Sequence, residues 1–333
     1  MYHKSAPKPH RQNDQIIFRP LSFVIGKNKG LMTKDKQQMK FNEEVADALA
    51  NKKPIVALES TVTAHGLPFP ENLETAQNLE NIVRKNGAIP ATIAVFDGEF
   101  CVGLEKDQIE FLATNKNIRK ISRRDLPIAI AKKLNCATTV ATTSFIAHKA
   151  GIKVFATGGI GGVHRGFAAD ISADLPELAQ TPITVVCSGA KIVLDLPATR
   201  EWLETFGITI LGWKCDEMPA FYSRASGLIV DEKVESAEET AKIIRARNEL
   251  NLKNAILLTV PVPEEFEIEN AELEEILAEA LKLTDEKNIS GKEITPFLLS
   301  QMAEKSAGKT LSANIALLEN NAKIAARIAW ELV

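Results

Sequence analysis

Short apolar runs bounded by turn residues alternate with amphipathic stretches along most of this chain. Pro54-Ile-Val-Ala-Leu-Glu-Ser60, Ile152-Lys-Val-Phe-Ala156, Ile183-Thr-Val-Val-Cys187, Ile208-Thr-Ile-Leu-Gly212 and Ala255-Ile-Leu-Leu-Thr259 have the length and β-branched content of buried strands. Between them the spacing predicts helices over about 42–51, 71–86, 105–114, 125–135, 198–206 and 236–250, the second stopped by Gly87. Another helix is expected to end at Gly151, and one starting near Asp170 or Ser172 to run to about Ala179. Thr92-Ile-Ala-Val-Phe96, Asp97-Gly98 and Glu99-Phe-Cys-Val-Gly103 predict a hairpin on a two-residue turn. The last 65 residues read as helical, and the alanine-rich spacing from Ser312 to Val333 suits a helix lying on a sheet. Strands alternating with helices predict an α/β fold, a mainly parallel sheet flanked by helices on both faces. Neither linker nor internal repeat interrupts residues 41–333, so they are read as one domain.

Composition removes several classes of function. A formal net charge of -3 offers no electrostatic footprint for a nucleic-acid polymer, so any nucleotide partner is expected to be small. No run approaches the roughly 18 apolar residues of a membrane span. Cys101, Cys136, Cys187 and Cys215 are scattered without a Cys-x-x-Cys pair, which suits reduced thiols in a cytoplasmic compartment. Residues 1–40 stand apart: nine Lys and Arg face only Asp14 and Asp35. They read as a disordered extension, or as sequence ahead of a start at Met32 or Met39. Basic, acid-poor composition also suits organelle targeting.

The candidate chemistry gathers at strand ends, where α/β folds place their ligands. Ala156-Thr-Gly-Gly-Ile-Gly-Gly-Val-His-Arg-Gly166, continuing to Asp174, puts five glycines, His164, Arg165, Asp170 and Asp174 into one connection. Glycines allow close approach of backbone to ligand, and a helix starting at 170 or 172 would aim free amides at an anion there. Known nucleotide fingerprints fail: His164 stands where the dinucleotide motif needs Gly or Ala, and Ala303 stands where the P-loop needs its first Gly. Glu59 ends a buried strand, where partial desolvation suits a general acid or base; it could equally be a surface carboxylate. Lys191, beyond Cys187-Ser-Gly-Ala, is placed to offer an amine to a carbonyl, or is simply solvated. Asp170 and Asp174, four apart, would share a helix face and suit a hard cation such as Mg²⁺ or Mn²⁺, although capping is an equal use. Lys120-Ile-Ser-Arg-Arg-Asp125 clusters cations of which Arg123 and Arg124 could meet a phosphate or carboxylate.

These residues lie in longer motifs. Ala57-Leu-Glu-Ser-Thr61, His65-Gly66, Pro90-Ala-Thr-Ile-Ala94, Ser122-Arg-Arg-Asp-Leu-Pro127, Ala137-Thr-Thr-Val140 and Phe155 to Gly166 are joined by Asp170-Ile-Ser-Ala-Asp174, Gly189-Ala-Lys191 and Pro219-Ala-Phe221. Gly291-Lys292, Thr295-Pro-Phe-Leu-Leu299 and Ser312-Ala-Asn-Ile315 complete the set. In that order, from about residue 43 to the C-terminus, they resemble the pseudouridine-5'-phosphate glycosidase family. The resemblance implies α/β/α layers, a homotrimer and an Mn²⁺-dependent enzyme that reversibly splits pseudouridine 5'-phosphate to uracil and ribose 5-phosphate. It implies Lys191 as the nucleophile that forms an imine with ring-opened ribose, Glu59 as proton donor and Asp170 as metal ligand. Lys120, Val140, Ser172, Ala173, Asp174, His164 and Asn314 would bind substrate. Two departures stand out: Val260-Pro261-Val-Pro263 lacks an expected asparagine, and Gly166 to Asp170 is shorter than the family pattern. Other readings of the same residues are a different Schiff-base sugar-phosphate lyase or aldolase, and a non-catalytic sugar-phosphate sensor.

Overall fold

The computed structural model describes residues 39–333 apart from 167–168, 288 and 290–293. The basic extension, all but its last two residues, lies outside them, as do Gly291-Lys292 and part of the shortened Gly166–Asp170 connection. The strands are β1 (Met39–Phe41), β2 (Ile55–Leu58), β3 (Ile89–Phe96), β4 (Glu99–Val102), β5 (Arg119–Ile121), β6 (Cys136–Thr138), β7 (Val154–Ala156), β8 (Val163–His164), β9 (Thr184–Cys187), β10 (Leu194–Asp195), β11 (Thr209–Trp213), β12 (Glu232–Val234) and β13 (Ile256–Thr259). The helices are α1 (Glu43–Ala50), α2 (Glu71–Lys85), α3 (Lys106–Thr114), α4 (Leu126–Ala131), α5 (Val140–Ala150), α6 (Asp174–Leu178), α7 (Leu196–Thr205), α8 (Ala237–Glu249), α9 (Asn270–Glu286), α10 (Ile294–Lys305) and α11 (Lys309–Glu331). None of them is long and apolar enough to cross a membrane.

The predicted mainly parallel sheet is present. Its centre runs β3-β2-β7-β9-β13-β11-β12, every neighbouring pair parallel. Val154–Ala156, Thr184–Cys187 and Ile256–Thr259 are buried throughout, because helices cover both faces of a parallel sheet. Each such aliphatic side chain contributes about 1.5–3 kcal/mol on burial. Helices α5 and α11 both pack on β2 and β7 without a comparable contact with each other, which puts them on opposite faces. The hairpin forms as expected, with Asp97 and Gly98 at φ 50 and 75 in a turn that needs positive φ at both positions. Pairing begins at Met39, a little before the boundary expected at Phe41, because β1 adds to the outer edge of β4.

One irregularity makes room for a site. Strand β2 accompanies β3 only as far as Leu58, opposite Thr92; from Ala94 onward the antiparallel β6 takes its place. The split is stitched by side chains: Ser60 Oγ donates to the Ile93 carbonyl (2.7 Å), and Thr61 Oγ1 to that of Thr138 (2.8 Å). The carboxyl end of β2 therefore faces the start of α5 across a gap.

Candidate active site

Three adjacent strands deliver their next residues to that gap. Glu59 follows β2, Thr157 follows β7, and Lys191 lies four residues past β9. The Thr157 hydroxyl donates to Glu59 Oε1, and Lys191 Nζ donates to the Gly159 carbonyl at 2.9 Å. Burial pushes the Glu59 carboxyl above the usual range; the Lys191 ammonium, the Thr157 hydrogen bond and Lys120 pull the other way, while Asp174 reinforces the rise. The expected strand-end carboxylate is thus a half-buried group that holds its proton more tightly than an ordinary glutamate, a shift in the direction a proton donor needs.

Two compartments meet at these residues. The wider, about 450 Å³, brings together Glu59, Lys120, Val140, His164, Asp170, Ser172, Ala173, Asp174 and Lys191, nine of the ten residues to which the family resemblance assigns a role. The tenth, Asn314, lines the narrower one, about 60 Å³, with His65, Phe221, Pro296 and Leu299. Glu59, Thr61, Lys120, Lys191 and Thr295 border both. Asn314 comes from α11, whose deeper Asn321 donates to the Thr157 carbonyl (2.9 Å) and to Ser188 Oγ (3.2 Å), fixing the helix against the ends of β7 and β9.

The glycine connection is shaped differently from expectation. It extends the sheet pairing, with Ile160 N–H donating to the Gly189 carbonyl and Lys191 N–H to that of Ile160, then turns back on itself through Ser172 N–H to the Gly162 carbonyl. The helix expected from 170 or 172 begins only at Asp174 and has five residues. Asp170 and Asp174 therefore do not share a helix face. Asp170 is exposed, its Oδ2 3.8 Å from His164 Nδ1. Asp174 is buried and accepts from the amides of Ala141 (2.9 Å) and Gly161 (2.8 Å), joining the loop to the first turn of α5. A side chain at Gly161 would collide with Ser172. The helix whose amino end faces the cavity is α5, capped by Thr139. Arg165, paired with His164 as a possible donor, is held by Glu274 (3.1 Å) and the Leu194 carbonyl and lies outside both compartments.

Sequence reasoning passed over Thr157, the first polar residue after a buried run, and gave no role to His65 or Phe221. Burial, and then the Lys120 ammonium, push the His65 imidazole below its usual range, and its Nε2 is buried without a hydrogen-bond partner among the described residues. Cys101, Cys136 and Cys187 are buried and form no disulfide among the described residues, and burial pushes the Cys187 thiol up to about 12.

A mainly parallel α/β sheet carries an amine, a carboxyl and further charged groups around a cavity at its strand ends, the layout of an enzyme site, and its family follows from comparison. Residues 44–331 match the model of the indigoidine synthase A like proteins, and the chain belongs to that family. A pseudouridine-5'-phosphate glycosidase of Caldanaerobacter subterraneus is 53% identical over 293 residues, covering 87% of this chain and 95% of the relative. The enzyme of that name from Staphylococcus aureus is 50% identical, with 87% and 95% covered. Among solved structures, an indigoidine synthase A-like protein from Thermotoga maritima superposes with a TM-score of 0.82 at 38% identity, covering 88% of this chain and 96% of that one. The prealnumycin C-glycosynthase in complex with ribulose 5-phosphate gives 0.82 and 38%, with 89% and 97% covered.

Proposed function

We propose that this chain is a pseudouridine-5'-phosphate glycosidase, reversibly splitting the C–C glycosidic bond of pseudouridine 5'-phosphate to uracil and ribose 5-phosphate. The observation that carries the reading is the joint placement of Glu59 and Lys191 where two unlike compartments meet, in a chain about half identical to enzymes of that name. The solved neighbour holding a sugar phosphate supports the substrate class.

The chemistry asks for this pair. A carbon leaving group cannot depart by simple protonation of an oxygen or nitrogen, as in ordinary glycosidases. In our reading Glu59 gives its proton to the ring oxygen as the C1'–O4' bond breaks, and Lys191 Nζ, neutral after releasing a proton to solvent, bonds to C1'. The proton that the nitrogen then sheds returns to Glu59, which passes it to the uracil carbon. The electron pair of the C1'–C5 bond then stays with the uracil carbon, which takes up a proton, while the nitrogen lone pair closes a C1'=N imine. Water hydrolyses the imine, freeing ribose 5-phosphate and Lys191. Lys120, Val140, His164, Ser172, Ala173 and Asp174 would hold the sugar phosphate, and Asn314 the base.

We further propose a hard divalent cation, Mn²⁺ or a similar ion, held by Asp170. No cluster of three His, Cys, Asp or Glu suited to a metal occurs among the described residues. Both oxygens of Asp174 are already engaged by amides. The exposed Asp170 carboxylate thus fits a water-rich site of the kind magnesium and manganese accept, and not a closed protein cage. Bound there, the ion would neutralise substrate negative charge. A cytoplasmic homotrimer completes the proposal. The test is release of uracil from pseudouridine 5'-phosphate in the presence of Mn²⁺, with borohydride trapping a ribose adduct on Lys191. Absence of both results refutes it.

A further inference from the structure

We propose that Arg124 selects the phosphorylated form of the substrate, closing on its phosphate from the mouth of the wider compartment. The inference rests on reading the substrate as a sugar phosphate.

Three guanidinium groups crowd the segment from Arg119 to Asp125, and the fold treats them differently. Arg119 is 3.2 Å from Asp125. Arg123 reaches Glu177, itself 2% exposed, at 3.1 Å and lies over the Phe145 ring, 4.6 Å from its centroid. Arg124 has neither hydrogen bond nor ion pair among the described residues, is exposed, and lines the wider compartment beside Ser122 and Thr139.

The divergence follows from local geometry. Arg123–Asp125 form a 3-10 turn, closed by Ser122 N–H (2.9 Å) and Oγ (3.2 Å) donating to Asp125 Oδ2. Consecutive residues of such a turn point about 120° apart. Once Arg123 is fixed toward Glu177, Arg124 is turned to another side, and that side is the cavity.

The other cations of the wider compartment have further neighbours. Lys120 and Lys191 also border the narrower compartment, at the reacting pair, and His164 lies beside Asp170. Arg124 alone among them belongs to the wider compartment without an anion of its own among the described residues. A planar guanidinium matches phosphate with two parallel hydrogen bonds, while an exposed arginine forgoes little hydration before the anion arrives. A hydroxyl in place of the phosphate offers no such partner.

The test uses the full chain with Arg124→Ala, Arg124→Lys and, for contrast, Arg123→Ala. Calorimetric titration with ribose 5-phosphate is expected to show binding weakened about tenfold or more in Arg124→Ala, with Arg124→Lys between it and the parent. In uracil-release assays KM for pseudouridine 5'-phosphate rises by a similar factor while kcat changes far less. Activity on pseudouridine, which lacks the phosphate, falls far less than activity on the phosphate ester. Arg123→Ala, which strands a buried carboxylate, is expected to lower Tm instead. Unchanged ribose 5-phosphate affinity in Arg124→Ala overturns the proposal, as does an equal loss on phosphorylated and unphosphorylated substrates. If even the parent protein releases no uracil, the glycosidase reading fails, and the ribose 5-phosphate titration still decides the role of Arg124.

Discussion

The two compartments share a border but little chemistry. The wider one carries most of the charged and hydroxyl groups, and its wall includes the amino end of α5 and the glycine connection, joined there by Asp174. Beyond the residues of the shared border, the narrower one is walled by Val62, Phe221, Pro296 and Leu299, with His65, Thr157 and Asn314 as its own polar side chains. An anion gains from the first, where Arg124 and His164 add to the two lysines of the border; a flat heterocycle gains from the second, where Phe221, Pro296 and Leu299 offer apolar faces and His65 and Asn314 polar groups to fix its orientation. Glu59 and Lys191 sit where the two meet, so on the proposed reading each end of the substrate would be bound by a different physical principle while the bond between them is held at this pair.

That division can be broken by substitution. Lys191→Ala is expected to cost on the order of 10³-fold or more in kcat and to abolish borohydride trapping, because it removes the amine proposed to bond C1', while Lys120, the other amine on the border, is assigned to the sugar phosphate. Glu59→Gln should lower kcat by about 10²–10⁴-fold. It should also remove the loss of kcat/KM as pH rises through the elevated Glu59 value. The same substitution has a sign-specific effect on stability. The folded carboxyl holds its proton more tightly than the unfolded one, so this group's contribution is complete at low pH and is lost as pH climbs through the raised folded value. Melting temperatures of Glu59→Gln and the parent should therefore diverge in the variant's favour as pH rises above the ordinary carboxylate range. Ser172→Ala and Asn314→Ala give the smallest and most informative effects, each about 5–10-fold. The first should weaken ribose 5-phosphate and spare uracil, and the second should do the reverse, as read by product inhibition. Equal effects on both products would erase the distinction between the compartments.

Much of this arrangement was legible in the chain, for identifiable reasons. Glu59 and Lys191 stand just past apolar runs buried on both faces, so the end of the run marks the end of the strand. The start of α5 was not legible: Val140 to Ser144 are all buried, and a helix covered all round shows no polar stripe to betray its period. The four-residue spacing of Asp170 and Asp174 suggested one helix, but pairing of Ser172 with Gly162 and of His164 with Asp170 bends the chain back before any helix begins. Arg123 and Arg124 are alike in sequence; only Glu177, fifty-four residues away, separates their fates.

The bond from Asn321 to the carbonyl of Thr157 spans 164 positions of sequence. Because α11 supplies one wall of the base-side compartment and also covers β2, β7 and β9, the pocket has no early, partial form. A growing chain emerging from the ribosome at about 5–20 residues per second would have Lys191 and Glu59 synthesised many seconds before Asn314 and Asn321 follow. Until then the apolar surface of the central strands waits uncovered. Contacts this distant slow folding and prolong exposure to aggregation. Assembly of the catalytic pocket is therefore expected to be among the last events in the maturation of the chain, and the most sensitive to conditions that stall its final turns.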